Sequence, residues 1–184
     1  MRTHHPALTR LTAVASTAVF SAMAAMAAMA ASGVSTVSAA PSATQAAPPA
    51  CASSGLVTWI DTNGNGAAGT IFYRLQFTNL SGHTCTLRGY PGVSGIDLHG
   101  HALGAPAIRQ TGPVQRITLT NGATAKALLG IAQSSFFPPA TCQPATAAGL
   151  RVFAPNQSVA KTVPFPFGIC THGPSNLRIR PITH

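Results

Sequence analysis

Asp61 and Asp97 are the only acidic side chains in a chain of 184 residues that carries 11 Lys and Arg and 7 His. That shortage excludes whole classes of chemistry before any motif is read. A carboxylate pair for glycoside hydrolysis, an aspartic dyad, an oxygen-ligand calcium cage and a two-metal phosphodiesterase centre each need both residues or more. Charged residues of either sign make up 7% of the chain, yet the formal net charge is +9. The chain is therefore basic because acid is missing, not because Lys and Arg abound. Also absent are any block of three basic residues and any basic-aromatic interleaving, so specific nucleic-acid recognition is not expected. There is no close C-x-x-C spacing for structural zinc and no internal repeat.

What is present begins with an export signal. Arg2 and Arg10 form a basic start, Leu11 to Ala31 is uncharged and apolar, and Val37-Ser38-Ala39-Ala40 supplies small residues. These are the three parts of a secretory signal peptide, with cleavage expected after Ala39. An uncleaved anchor is the alternative, since the apolar run is about long enough to span a bilayer. Its Ala-rich composition makes it only weakly apolar. No adjacent Arg pair marks the twin-arginine route. Cys51 follows Pro48-Pro49-Ala50, well beyond the apolar run, so no lipid-modified cysteine and no membrane anchor after cleavage are expected. Residues 40–50, rich in Ala and Pro, read as a disordered lead-in, and 51–184 as one domain. Loss of Arg2 and Arg10 lowers the formal charge from +9 to about +7.

Within the domain the periodicity is that of strands, with no helix. Thr70 to Asn79 alternates, placing Ile71, Tyr73, Leu75 and Phe77 on one face and Arg74, Gln76 and Thr78 on the other. Further short strands are expected at Leu56–Ile60, Cys85–Arg88, Val93–Leu98, Val114–Leu119, Ala125–Ile131, Leu150–Phe153, Val159–Phe165 and Leu177–Ile182. Turn sequences separate them: Gly89-Tyr90-Pro91-Gly92, His99-Gly100-His101, and Asn121-Gly122 as a hairpin signal. The Ala-rich patch Ala145–Ala148 is too short for a stable helix. About eight short strands predict an all-β fold, an antiparallel immunoglobulin-like β-sandwich.

Four cysteines in an exported chain imply two disulfides. If the strand after Cys51 runs antiparallel to Thr70–Asn79, its start lies beside the end of that partner, close to Cys85. Cys142 precedes and Cys170 follows a second expected hairpin in the same way. Cys51–Cys85 with Cys142–Cys170 is therefore favoured, with the two other connectivities open.

Several motifs resemble chemistry and lack a necessary part. Gly64-Asn65-Gly66-Ala67-Ala68-Gly69 spells G-x-G-x-x-G, but a strand follows where the dinucleotide fold needs a helix. Asp61-Thr62-Asn63-Gly64-Asn65-Gly66 spells half a calcium loop, but its twelfth position is Phe72, so Asx-type turns closing a hairpin are expected. Gly92-Val93-Ser94-Gly95 breaks the serine-hydrolase elbow at Ile96. An even cysteine count leaves no thiol nucleophile. His99 and His101 remain as candidate metal ligands, with His83, His172 and His184 as further donors, since imidazole binding of soft metals needs no carboxylate. Exposed turn histidines are the simpler account. Arg178 and Arg180 share a strand face and are candidate binding residues, on an otherwise scattered set of basic side chains.

Asn79-Leu80-Ser81-Gly82-His83-Thr84-Cys85-Thr86-Leu87-Arg88-Gly89-Tyr90-Pro91-Gly92-Val93, preceded by Gly66-Ala67-Ala68-Gly69 and followed by Asp97, Gly100 and Leu119-Thr120-Asn121-Gly122-Ala123-Thr124-Ala125, resembles the domain of unknown function 4232 family. The resemblance spans roughly Cys51 to Ile182. It implies an exported actinobacterial protein with a cysteine-bridged β-sandwich, and it transfers no catalytic residue. Many members are lipid-anchored, whereas this chain lacks the lipobox. No cofactor is expected. The residues together predict a secreted, non-catalytic binding or structural module at the cell envelope, partnered by an anionic cell-wall polymer or an envelope protein. The alternatives are an extracellular metal-binding protein using His99 and His101, and an enzyme of unfamiliar type with no nameable nucleophile.

Overall fold

Strand periodicity translates directly into sheets in the computed structural model, which describes residues 46–184. The signal peptide expected over 1–39 and the start of the lead-in lie outside the described residues. The fold is all-β. Among the described residues eleven strands run in the order β1 (Leu56–Ala67), β2 (Thr70–Asn79), β3 (Cys85–Arg88), β4 (Gly92–Ile96), β5 (Ala102–Leu103), β6 (Ile108–Arg109), β7 (Arg116–Leu119), β8 (Thr124–Ala132), β9 (Pro144–Phe153), β10 (Ala160–Cys170) and β11 (Leu177–Ile179). Hydrogen bonding arranges them in sheets of order β1-β2-β8-β11-β6 and β10-β9-β4-β5, with β3-β7 as a separate pair.

The inward faces of these sheets meet in one sandwich core. Leu75 and Phe77 of β2, Leu129 of β8 and Leu177 and Ile179 of β11 pack with Val93, Leu150, Val152 and Ile169 from the other sheet, and with Leu87, Ile117 and Leu119 of the β3-β7 pair. Each such side chain, fully buried, contributes about 1.5–3 kcal/mol of transfer free energy. Two disulfides close the edges, Cys51–Cys85 with Cα atoms 4.9 Å apart and Cys142–Cys170 at 4.5 Å. This is the pairing favoured from strand order, and the register shows why: Leu56 faces Asn79, and Cys170 faces Pro144.

Several expectations need correction. The expected Asx-type turn forms, with Asn63 N–H donating to Asp61 Oδ1 at 3.0 Å, but Asp61 to Gly66 does not close a hairpin. β1 continues through it to Ala67, and the turn falls at Ala68-Gly69, whose φ values of 45° and 76° match the mirror-image turns that hairpin twist favours. Within β1 the register jumps between Asp61 and Asn65, so Thr62, Asn63 and Gly64 bulge opposite the single residue Tyr73. Asn121-Gly122 does turn, with Gly122 at φ 83°, but it joins β7 and β8 in different sheets and is a corner. Ala145 to Ala148 forms no helix, as expected, but belongs to β9, which begins at Pro144 and not at the expected Leu150. A helix does occur, a single turn over Pro139–Cys142 that ends where Gln143 adopts φ 45°. β5 and β6 are too short to announce themselves by alternation, and β6 pairs parallel to β11, so the larger sheet is not wholly antiparallel. The lead-in is ordered at its end: Cys51 N–H donates to the Thr86 carbonyl at 2.9 Å, and Thr86 N–H donates to the Pro49 carbonyl at 2.8 Å.

Candidate functional site

Residues that alternate away from the core form the solvent face of the five-stranded sheet, and the register shows which of them become neighbours. Trp59, Gln76 and Lys126 lie in one row across β1, β2 and β8, with Thr183 bridged to Lys126. The next row holds Asp61, Arg74 and Leu128, and the Arg180 N–H donates to the Leu128 carbonyl at 3.0 Å. A third row holds Asn65, Phe72, Gly130, Arg178 and Ile108. Gly130 is required there, because a Cβ would lie 2.9 Å from the Phe72 ring that covers it. Antiparallel strands lie about 4.7–4.9 Å apart, so side chains in adjacent rows and columns cooperate.

Two adjoining hollows occupy this face. One, of about 240 Å³, is lined by Arg74, Lys126, Leu128, Arg180, Pro181 and Thr183. The other, of about 310 Å³, is lined by Asn63, Asn65, Gly66, Phe72, Arg74 and Leu128. They share Arg74 and Leu128 and form one shallow groove crossing the strands. Leu128 and Phe72 lie along its floor, Lys126 and Arg180 stand at one end, Arg74 stands where the two hollows meet, and the other end carries two carboxamides. Asp61 is the sole acidic side chain on the face and is already engaged, its Oδ2 accepting from Arg74 Nη1 at 3.4 Å. The backbone N–H of Asn63 is the foremost cause holding the Asp61 carboxyl below its ordinary value, with the Asn63 side chain and Arg74 adding to it.

Arg180, one of the two arginines expected to bind, lines this groove, with its Nε also donating to Gln110 Oε1 at 3.3 Å. Arg178 lies on the same face, in the row beyond it. Arg74 and Lys126 were not separable from scattered charge by sequence. Each occupies the polar side of an alternating strand, but only the β2–β8 register sets them side by side with Arg180.

His99 and His101 fall in the turn between β4 and β5, on the other sheet. Asp97 organises that turn. Its Oδ1 accepts the backbone N–H of His99 at 2.9 Å and of His101 at 2.8 Å, and its Oδ2 lies 3.1 Å from His101 Nδ1. Partial desolvation pushes the Asp97 carboxyl up, but the hydrogen bonds from His101 and His99 outweigh it and leave it below its ordinary value. The two rings are tilted with centroids 6.0 Å apart. Among the described residues, no group of three or more His, Cys, Asp or Glu side chains is placed to hold a metal ion. His83 and His172 instead make local contacts, to the Ser81 carbonyl and to Thr171 Oγ1. Asp97, His99 and Leu98 border an apolar hollow of about 450 Å³ with Ala147, Ala148 and Pro166.

Architecture and bridges together define a disulfide-stapled β-sandwich domain of an oxidising compartment. Among the described residues no helix is long and apolar enough to cross a membrane. The model of a family described as a domain of unknown function, DUF4232, matches residues 51–183, and the chain belongs to that family. No curated protein and no solved structure matches the chain.

Proposed function

We propose that the protein is an exported, non-catalytic module that attaches to anionic polymers of the cell envelope through the solvent face of its five-stranded sheet. The observation that carries this reading is the convergence of Arg74, Lys126 and Arg180 on one groove with an apolar floor, on a face whose only acidic side chain is already bonded to Arg74. Lys126 and Arg180 have no acidic side chain on this face to pair with and stand free to meet an external anion. Arg88 and Arg116 make the same point elsewhere: they stand opposite each other on β3 and β7, both exposed, in a like-charge pairing that costs stability unless an anion screens it. A polymer with repeated negative charge satisfies several such groups at once, and its binding releases counterions and weakens with salt. The disulfides and the N-terminal signal pattern agree with a location outside the cytoplasm.

The test is retention of the chain lacking residues 1–39 on purified anionic cell-wall polymer. Retention at low salt, release as salt rises, and loss of retention in an Arg74→Glu, Lys126→Glu, Arg180→Glu variant are expected. Equal retention of parent and variant would overturn the assignment to this face. No retention at low salt would overturn the reading itself.

A further inference from the structure

We propose that Asn63 is a self-modifying site, converting to aspartate or isoaspartate through attack by its own chain. The sequence holds three Asn-Gly pairs, Asn63-Gly64, Asn65-Gly66 and Asn121-Gly122, and the fold treats them differently. Glycine after asparagine leaves the following amide nitrogen unshielded by a Cβ and its backbone free to rotate, which is what ring closure onto the asparagine side chain needs. At the corner, Gly122 N–H is held by the Asn79 carbonyl at 2.6 Å, and Asn121 Oδ1 accepts from Gly82 N–H at 2.9 Å. Both reacting groups there are occupied. Asn65 and Gly66 stand in paired register with Phe72 and Ile71. All three pairs are exposed to water, but Asn63 and Gly64 alone lie in the bulge, outside that register.

Asp61 holds the Asn63 carboxamide by its Nδ2 and leaves Cγ to the neighbouring backbone. Asp61 Oδ1 accepts from both the backbone N–H and the side-chain Nδ2 of Asn63, each at 3.0 Å. Gly64 cannot be replaced without displacing its neighbours, because a Cβ would lie 2.6 Å from Ile71 Cγ2 and from Tyr73 Cε1. The reactive glycine is therefore a packing requirement of the bulge.

In the reaction the Gly64 nitrogen bonds to Asn63 Cγ as the Cγ–Nδ2 bond breaks. Ammonia leaves with the proton lost from Gly64, and a succinimide closes. Water then opens either carbonyl of the ring, giving aspartate or its isomer, with no change of oxidation state. The product adds a negative charge beside Asp61, in a chain with only two acidic side chains, at the rim of the groove that Asn63 and Arg74 line.

This step goes beyond polymer binding, and its primary readout is independent of it. The chain lacking residues 1–39 is incubated at neutral and mildly alkaline pH in water enriched in heavy oxygen, then mapped by peptide mass. The expected result is label at Asn63 ahead of Asn65, with Asn121 unchanged while the protein stays folded. Cation exchange should show one new species displaced to the position of an Asn63→Asp variant and absent from Asn63→Gln. Conversion of Asn121 as fast as Asn63, or no conversion at Asn63, overturns the proposal. Polymer retention of the separated product reports on the groove alone: retention weaker than the parent's is expected if the groove binds anions, and unchanged retention would count against the groove without touching the chemistry.

Discussion

The carboxamide of Asn79 donates to the Leu119 carbonyl at 3.0 Å from a residue with no solvent exposure. The same group donates to the His83 carbonyl at 2.8 Å, and its Oδ1 accepts from Ser81 N–H at 3.0 Å and Ser81 Oγ at 2.7 Å. The Asn79 backbone takes its N–H to Ala123 and receives Gly122. One side chain thus ties the end of β2 to the end of β7 and to the loop leading into Cys85. Asn79→Ala leaves two carbonyls and a backbone N–H without these partners, and a buried unsatisfied group costs about 1–3 kcal/mol. A loss of about 2–4 kcal/mol is expected by urea denaturation, with an unchanged m value.

The two bridges span sequence separations of 34 and 28 residues. Loops of that size lose about 3.5–4 kcal/mol of stabilisation when opened, on the chain-entropy account. Cys142→Ser with Cys170→Ser should therefore lower the unfolding free energy by nearly as much as Cys51→Ser with Cys85→Ser. Thermal and denaturant unfolding of each pair variant checks this. A much larger effect of the first pair would mean that Cys51–Cys85 contributes little beyond what the bonds of Pro49 and Cys51 to Thr86 already supply.

Legibility followed locality. Thr70–Asn79 alternates except at Phe72, which faces outward with Arg74, and β2 takes those same limits. The disulfide pairing followed from strand ends, because an antiparallel hairpin places its start beside its finish. Asp61 to Gly66 misled because Asn and Gly favour turns locally, whereas the bulge opposite Tyr73 absorbs them inside a strand. Asn121-Gly122 misled for a different reason: whether a tight turn makes a hairpin or a corner depends on which sheet each flank joins. Of the groove, only Arg180 was singled out by sequence. Arg74, Lys126 and Arg180 are far apart in the chain, and only the register of β2, β8 and the segment after β11 makes them neighbours.

A fold with two acidic side chains has few groups through which acid can unfold it. Both are held below their ordinary value of 3.8. A carboxyl depressed in the folded state contributes stability that is fully present above its unfolded pKa and is lost as pH falls through the folded one. The thermal midpoint should therefore stay flat on this account from neutral pH down to about 4, then decline. Asp61→Asn with Asp97→Asn should flatten that decline at the cost of a lower midpoint at pH 7. A decline of unchanged depth in the double variant would show that these two carboxylates do not control acid stability.

Trp59 is the single tryptophan of the chain, 42% exposed, and it shares a row with Gln76 and Lys126 on the groove face. Its Nε1 donates to Thr78 Oγ1 at 3.2 Å, which fixes the ring in place on that face. An anionic polymer laid across β2, β8 and β11 should alter the polarity around this ring, so Trp59 fluorescence should shift with saturable dependence on polymer. The dependence of log affinity on log salt should be linear, and Lys126→Glu should reduce its slope by about one or more. Arg116→Glu, on the separate β3–β7 pair, should leave the Trp59 signal intact while weakening retention only modestly. If instead Lys126→Glu binds with parent affinity and Arg116→Glu does not, the polymer lies on the β3–β7 arginines and the groove is not the site.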